Sequence, residues 1–180
     1  MKTIIDLLYK KIEEIPEMCY FNPPATDGDI KHFEEELGIK LPESMRMFYM
    51  HFDGGLIALD DALWENGQLK SKEDRAYTIW NSNLILSLGQ ILRAINDEEE
   101  NLGCGYFVEM GNEAGLTVIP LISTASQEFL LWDATDCSKT PILNAFHEYP
   151  ADEWSPVYNS FEELMSDYVN KNGNIETIAG

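Results

Sequence analysis

Histidines, cysteines and paired carboxylates are the side chains through which this chain could do chemistry, and their spacing lends little support to any of the usual schemes. The three histidines, His32, His51 and His147, are dispersed. None has a partner at HExxH or CxxH spacing, so a surface or hydrogen-bonded structural role explains them better than zinc ligation. Cys19, Cys104 and Cys137 form no CxxC pair and are odd in number, which argues against a disulfide framework and against a zinc knuckle. "LGCGYF" has glycines at 103 and 105 but lacks the third glycine of a dinucleotide fingerprint; a turn accounts for it. "TDGD", residues 26–29, lacks the ligand ladder of a calcium loop, and helix capping is the better reading. Carboxylates are so abundant that some pair lies near another by chance. A glycosidase-like or metal-bound pair stays open, and nothing singles one out. No catalytic, cofactor-binding or metal-ligating residue is assigned, and no cofactor is expected.

The carboxylates carry more information as a population. Against 12 Lys and Arg stand 32 Asp and Glu, a formal charge of −20. That excludes direct nucleic-acid binding as a leading function, because such affinity comes largely from cations neutralising phosphates. An anionic membrane surface is disfavoured for the same reason. Two readings remain: solubility, or a negative field that speeds encounter with a basic protein partner. The acidic clusters Asp60–Asp61, Asp97 to Glu100 and Glu34 to Glu36 read by default as solvated faces. The opening "MKTIIDLLYKKIEEI" is interrupted by Asp6, Lys10 and Lys11 too soon for a signal peptide, and no stretch is long enough to span a bilayer. A soluble, cytoplasmic protein is expected.

Positioning falls to a series of short elements. Ile4, Leu8, Ile12 and Ile15 recur at helical spacing before Pro16, and "CYFNPPATDG" reads as a rigid loop. Thr26 caps a second helix with Asp29 in its first turn; Ile30, Phe33 and Leu37 form its inner stripe and Gly38 its left-handed end. Pro42 suits the first turn of a third helix, which is lined by Met45, Phe48, Tyr49 and Phe52 and stopped by Gly54–Gly55. "GLIALDDALW" and "RAYTIWNSNLIL" predict strands around an exposed polar loop at 65–74. Ser87 and Gln90 sit in capping-box register before Ile91, Leu92 and Ile95. "YFVEM", "LTVIPLI", "EFLLWD" and "TPILNAFHEY" read as strands, and Ser160 with Glu163 opens a last helix. Helices early, strands later and a closing helix predict an α+β domain, with a loosely ordered tail at 171–180.

The stretch "ATDGDIKHFEEELGIKLPESMRMFYMHFDGG", residues 25–55, resembles the N-terminal signature of the SUKH superfamily (Smi/Knr-like). That signature is an acid-rich helix with Ile-x-x-x-Glu, then Leu-Gly-x-x-Leu-Pro, an aromatic helix and Asn-Gly-Gly. Ile30, Glu34, Leu37, Gly38, Leu41, Pro42, Phe48, Gly54 and Gly55 fit it, and Asp53 stands where Asn is usual. "VIPLI", "EFLLWD", "TPILNAFHEY" and "NSFEELMSDYV" follow in family order, extending the match in outline over 25–170. Two departures are "STASQ", Ser123 to Gln127, where the family often has Gly-x-Gly-Asp, and the segment between Gly55 and Leu86.

The resemblance implies one α+β domain over 1–180, with a mainly antiparallel sheet and helices beside it. An N-terminal helix and loop would occupy 1–24, the family core 25–170. It also implies a non-catalytic immunity protein that binds and neutralises a cognate polymorphic toxin, such as a basic nuclease domain. The candidate contacts are Asp60, Asp61, Asp97, Glu98, Glu99 and Glu100, whereas Gly38, Pro42, Trp132 and Phe161 are assigned to the fold. The alternatives are a regulatory or scaffold module linked to cell-wall synthesis or signalling and, last, an enzyme with an unrecognised carboxylate site.

Overall fold

The computed structural model describes residues 1–58, 82–96, 104–124 and 128–175, with the backbone alone at 64–65 and 68–69. Helix α1, Lys2–Glu14, buries Ile5 and Leu8 and ends before Pro16. Helix α2, Asp27–Leu37, begins in a complete capping box: Thr26 Oγ1 accepts from Asp29 N–H, and the Asp29 carboxylate accepts from Thr26 N–H at 2.8 Å. It ends at Gly38 with φ +64°. Pro42 is the N-cap of α3, Glu43–Tyr49, one place before the first turn. Helix α4, Leu88–Ile95, has a second full capping box from Ser87 and Gln90. Helix α5 is Gly105–Glu113 and α6 is Phe161–Asn170. At α6 the box is displaced: Ser160 Oγ accepts from Glu163 N–H, but the Glu163 carboxylate accepts from Asn159 N–H.

The main sheet is antiparallel throughout, in the order β1-β2-β5-β6-β7-β8-β9. Its strands are β1 (Cys19–Phe21), β2 (Gly55–Ile57), β5 (Leu84–Ile85), β6 (Val118–Ser123), β7 (Phe129–Asp133), β8 (Ile142–Ala145) and β9 (Pro156–Tyr158). A separate two-stranded ribbon pairs β3, Trp64–Glu65, with β4, Gln68–Leu69. Successive positions of β6 and β7 are buried, so both faces of the sheet centre are covered, as a continuous apolar run requires. Helices α1 and α3 pack against α6, α2 against α4, and α4 and α5 against β6. The α+β class is as the element order predicts, and the antiparallel sheet as the family resemblance implies.

Several local expectations are corrected. "YFVEM" is helix α5, not a strand, because Phe107 and Gly111 lie one turn apart and face the sheet together. A Cβ on Gly111 would stand 2.6 Å from Val118 Cγ2, so the glycine lets the helix approach β6 closely. "CYF" is strand β1 rather than loop, paired with Gly55–Ile57. "TPILNAFHEY" is extended only at Ile142–Ala145, and β9 was not foreseen. Part of the expected polar loop at 65–74 belongs to the ribbon. Of the two middle strand segments, residues 59–63 and 75–81 lie outside the described residues. The tail is anchored at its start: Ile175 is buried and the Gly173 carbonyl accepts from Asn83 Nδ2 at 2.8 Å.

Gly54 and Gly55 do more than stop α3. With φ of +75° and +135° they carry the chain into β2, between β1 and β5. A Cβ on Gly54 would lie 2.6 Å from the Ile85 carbonyl oxygen, and one on Gly55 2.6 Å from Phe21 Cα. Beyond them Tyr168, on α6, completes the strand. Its hydroxyl accepts from Ile57 N–H at 2.9 Å and donates to the Asn83 carbonyl at 3.0 Å. Burial pushes the pKa of this phenol well above its usual value, so it stays a neutral donor. Tyr168→Phe removes a hydrogen bond from each of these two buried backbone groups. The expected loss is about 2–4 kcal/mol in urea unfolding with an unchanged slope.

Candidate functional site

All six sequence-nominated contacts, Asp60, Asp61, Asp97, Glu98, Glu99 and Glu100, lie outside the described residues. The third acidic cluster divides. Glu35 and Glu36 are exposed and meet Lys31 and His32 across one helical turn. Glu34 departs from the solvated-face reading: its residue is only 4% exposed.

Glu34 clamps the family-signature helices together. One carboxylate oxygen accepts from Arg46 Nη2 at 2.6 Å and from Leu41 N–H at 3.1 Å; the other accepts from Lys40 Nζ at 2.7 Å. Burial alone would raise its pKa, but Lys40, Arg46 and the Leu41 N–H together hold it below the usual carboxylate range. The "LGIKLP" connection is thus tied to both helices through one side chain.

Asp53 performs a second positioning task. Its Oδ1 accepts from Leu88 N–H at 2.9 Å, in the first turn of α4, and its carbonyl accepts from Asn22 Nδ2 at 2.7 Å. Burial raises its carboxyl pKa, the Leu88 N–H offsets part of that rise, and the charge of Asp29 adds to it. A neutral acceptor would serve the same bond, which explains why Asn suits this position.

The remaining potentially reactive groups have structural partners or are exposed. His51 Nδ1 lies 3.1 Å from the Tyr9 hydroxyl. The buried Glu128 carboxylate receives both the backbone N–H and Nδ1 of His147. Thr124 and Glu128 close the β6–β7 hairpin through the Thr124 N–H and hydroxyl, both donated to the Glu128 carbonyl. Within the Ser123–Gln127 segment, residues 125–127 lie outside the described residues. Burial pushes the Cys19 thiol up to about 11, with Glu17 adding to the rise, so it remains protonated and a poor nucleophile. Among the described residues, no group of three His, Cys, Asp or Glu side chains could hold a metal ion.

Among the described residues, accessible features include two open clefts and several exposed rings. A cleft of about 640 Å3 beside β9 and α6 includes Tyr158, whose hydroxyl donates to Asp167 at 2.7 Å. Another, of about 410 Å3, lies between α1, β1 and the end of α3 and is lined by Tyr9, Phe21, Pro23 and Phe52. Cys19 and His51 share this lining without a hydrogen bond to one another among the described residues. Tyr106 and Tyr149 are 56% and 45% exposed, large values for aromatic side chains. Reading "YFVEM" as a strand concealed Tyr106; helical spacing puts it on the side of α5 away from Phe107 and Gly111.

Two outcomes follow from the Glu34 and Asp53 carboxylates. Glu34→Ala removes an acceptor from Leu41 N–H and costs about 1–3 kcal/mol in denaturant unfolding at neutral pH. Because the native pKa is depressed, this advantage of the natural chain is present above the unfolded pKa and is lost as pH falls through the folded one. Asp53→Asn goes the other way. The natural carboxyl is penalised once ionised, so the variant has a higher Tm at neutral pH, and its gain disappears as acid protonates Asp53 in both states.

Comparison with protein families matches residues 24–167 to the SMI1 / KNR4 family (SUKH-1). Comparison with curated proteins finds no match. No helix among the described residues is long and apolar enough to cross a membrane. The family supports a protein of immunity or Smi/Knr type working through protein–protein interaction. With the matched span containing the Glu34 clamp, the Asp53–Gly55 turn and the antiparallel sheet from β2 to β9, the chain belongs to the SMI1 / KNR4 (SUKH-1) family.

Proposed function

We propose that this protein is a non-catalytic immunity protein of the cytoplasm, which binds and neutralises a cognate protein toxin with a basic surface, such as a nuclease domain. One feature carries the reading beyond family membership. Between Arg93 and Lys171 the sequence has a single cation, Lys139, and that ammonium is engaged by Asp136 at 3.4 Å. Such a one-signed half attracts a basic protein over long range and repels acidic competitors. A toxin that holds nucleic acid needs a cationic site, and an acidic cover competes with the phosphates for it. Asp60, Asp61 and Asp97 to Glu100 would add to that field. The unit that acts is one domain over 1–180, with 24–167 as its family core.

The test is affinity capture with the tagged full chain from its own organism's lysate, followed by identification, purification and activity assay of the partner. The expected partner has a basic toxin domain, is released progressively as salt is raised, and loses activity when one equivalent of this protein is added. Retention of only signalling or wall-synthesis proteins, insensitive to salt, overturns the immunity reading in favour of a regulatory module.

A further inference from the structure

The exposed tyrosines noted above are joined by a run of aromatic residues, linked by ring contacts and one indole-to-backbone hydrogen bond. On α5, Tyr106 stands against Phe107 with ring centroids 5.8 Å apart, and Phe107 contacts Trp154 at 6.2 Å. Trp154 donates its indole N–H to the Tyr149 carbonyl at 3.2 Å, and Tyr149 contacts Phe146 at 5.3 Å. The run therefore crosses from α5 to the turn that leads out of β8. Its inner members are in the core; its ends, Tyr106 and Tyr149, meet solvent.

The charge along this run has one sign. Glu109 and Glu113 follow Tyr106 at three and seven places, on the same side of α5. Asp152 and Glu153 follow Tyr149 and are also exposed. Among the described residues these four carboxylates take part in no ion pair, and neither segment 104–113 nor 146–154 contains Lys or Arg. Helices α1 and α2 differ in carrying cations among their acids: Glu14 pairs with Lys10, Glu35 with Lys31 and Glu36 with His32. Exposed aromatic faces beside uncompensated carboxylates suit one cation in particular. A guanidinium is planar and weakly hydrated, so it stacks on a ring while its forked N–H groups meet a carboxylate; an ammonium is a compact, strongly hydrated charge.

We propose that the face formed by α5 and the turn at 146–154 is the docking surface for an arginine-bearing basic protein partner, with Tyr106 and Tyr149 as stacking platforms and Glu109, Glu113, Asp152 and Glu153 as the ionic rim. This rests on the reading of the chain as a binder of a basic partner and names the face it uses.

The probes are hexa-arginine and hexa-lysine peptides titrated into the full 15N-labelled chain at low salt, followed by amide and indole NMR shifts. The expected result is that shifts gather on 104–113 and 146–154, the Trp154 indole included, and that the arginine peptide binds at least about threefold more tightly. Tyr106→Ser with Tyr149→Ser removes that preference while leaving the spectrum of the rest of the chain in place. If that double variant disturbs the fold, Glu109→Gln with Asp152→Asn weakens both peptides without touching a ring. Shifts spread equally over Glu35 and Glu36, or equal affinity for the two peptides, overturn the assignment of this face. So does concentration-dependent broadening of the same signals without peptide, which marks a second copy of the chain as the occupant. Neutralisation of a basic toxin is read separately: a chain that neutralises it with this face unperturbed loses this inference and keeps the immunity reading.

Discussion

Strand β2 runs where the chain has no space for a side chain at its entry. Gly54 and Gly55 pass so close to the backbones of β5 and β1 that any Cβ would strike one of them, and their positive φ values are costly for other residues. Distant parts of the chain converge there. Helix α3 delivers the turn, Asp53 within it holds the start of α4, and Tyr168 and Gly173 close on Ile57 from the C-terminal end. A strand of three residues has few hydrogen bonds of its own, so its geometry is set by what packs around it.

The family signature is consequently a set of fold constraints. Glu34 is an acid in a helix rich in acids, yet it is buried and tied to three donors, while Glu35 and Glu36 beside it face water. Its two cationic partners retain exposure, which keeps part of their hydration and lowers the cost of burying the carboxylate between them. Glu34 itself, buried among these donors, has almost no surface to offer a partner. Specificity in such a scaffold must come from side chains whose replacement leaves the backbone undisturbed.

Charge and aromatic exposure meet those conditions on the later half of the chain. The excess of carboxylates there has almost no internal cation to satisfy it, so its field extends outward and is limited chiefly by salt. Charge of this kind governs encounter and partner choice more than it holds a complex together; rings that lose water on contact contribute the latter. The run from Tyr106 to Tyr149 joins the two, because its buried members, Phe107 and Trp154, hold its exposed ends.

Interactions spanning one helical turn were legible from residue order alone. Thr26 with Asp29, Ser87 with Gln90, the left-handed Gly38 and the inner stripes of α2, α3 and α6 follow from such spacings, as does the α+β character of the whole. The charge imbalance and the family signature were likewise visible at once. Tertiary structure decided the cases in which local preference and burial compete. "YFVEM" has strand-forming residues yet is helical because Phe107 and Gly111 fit against β6, and "CYF" is a strand because β2 offers it a partner. It also decided that Glu34 is inside while Glu35 is outside, and that Tyr106 and Tyr149, far apart in sequence, belong to one run of rings. Residue order specifies contacts within a turn because covalent geometry fixes those distances. Contacts between distant segments depend on which surfaces the whole chain can bury together, and these assemble the candidate face.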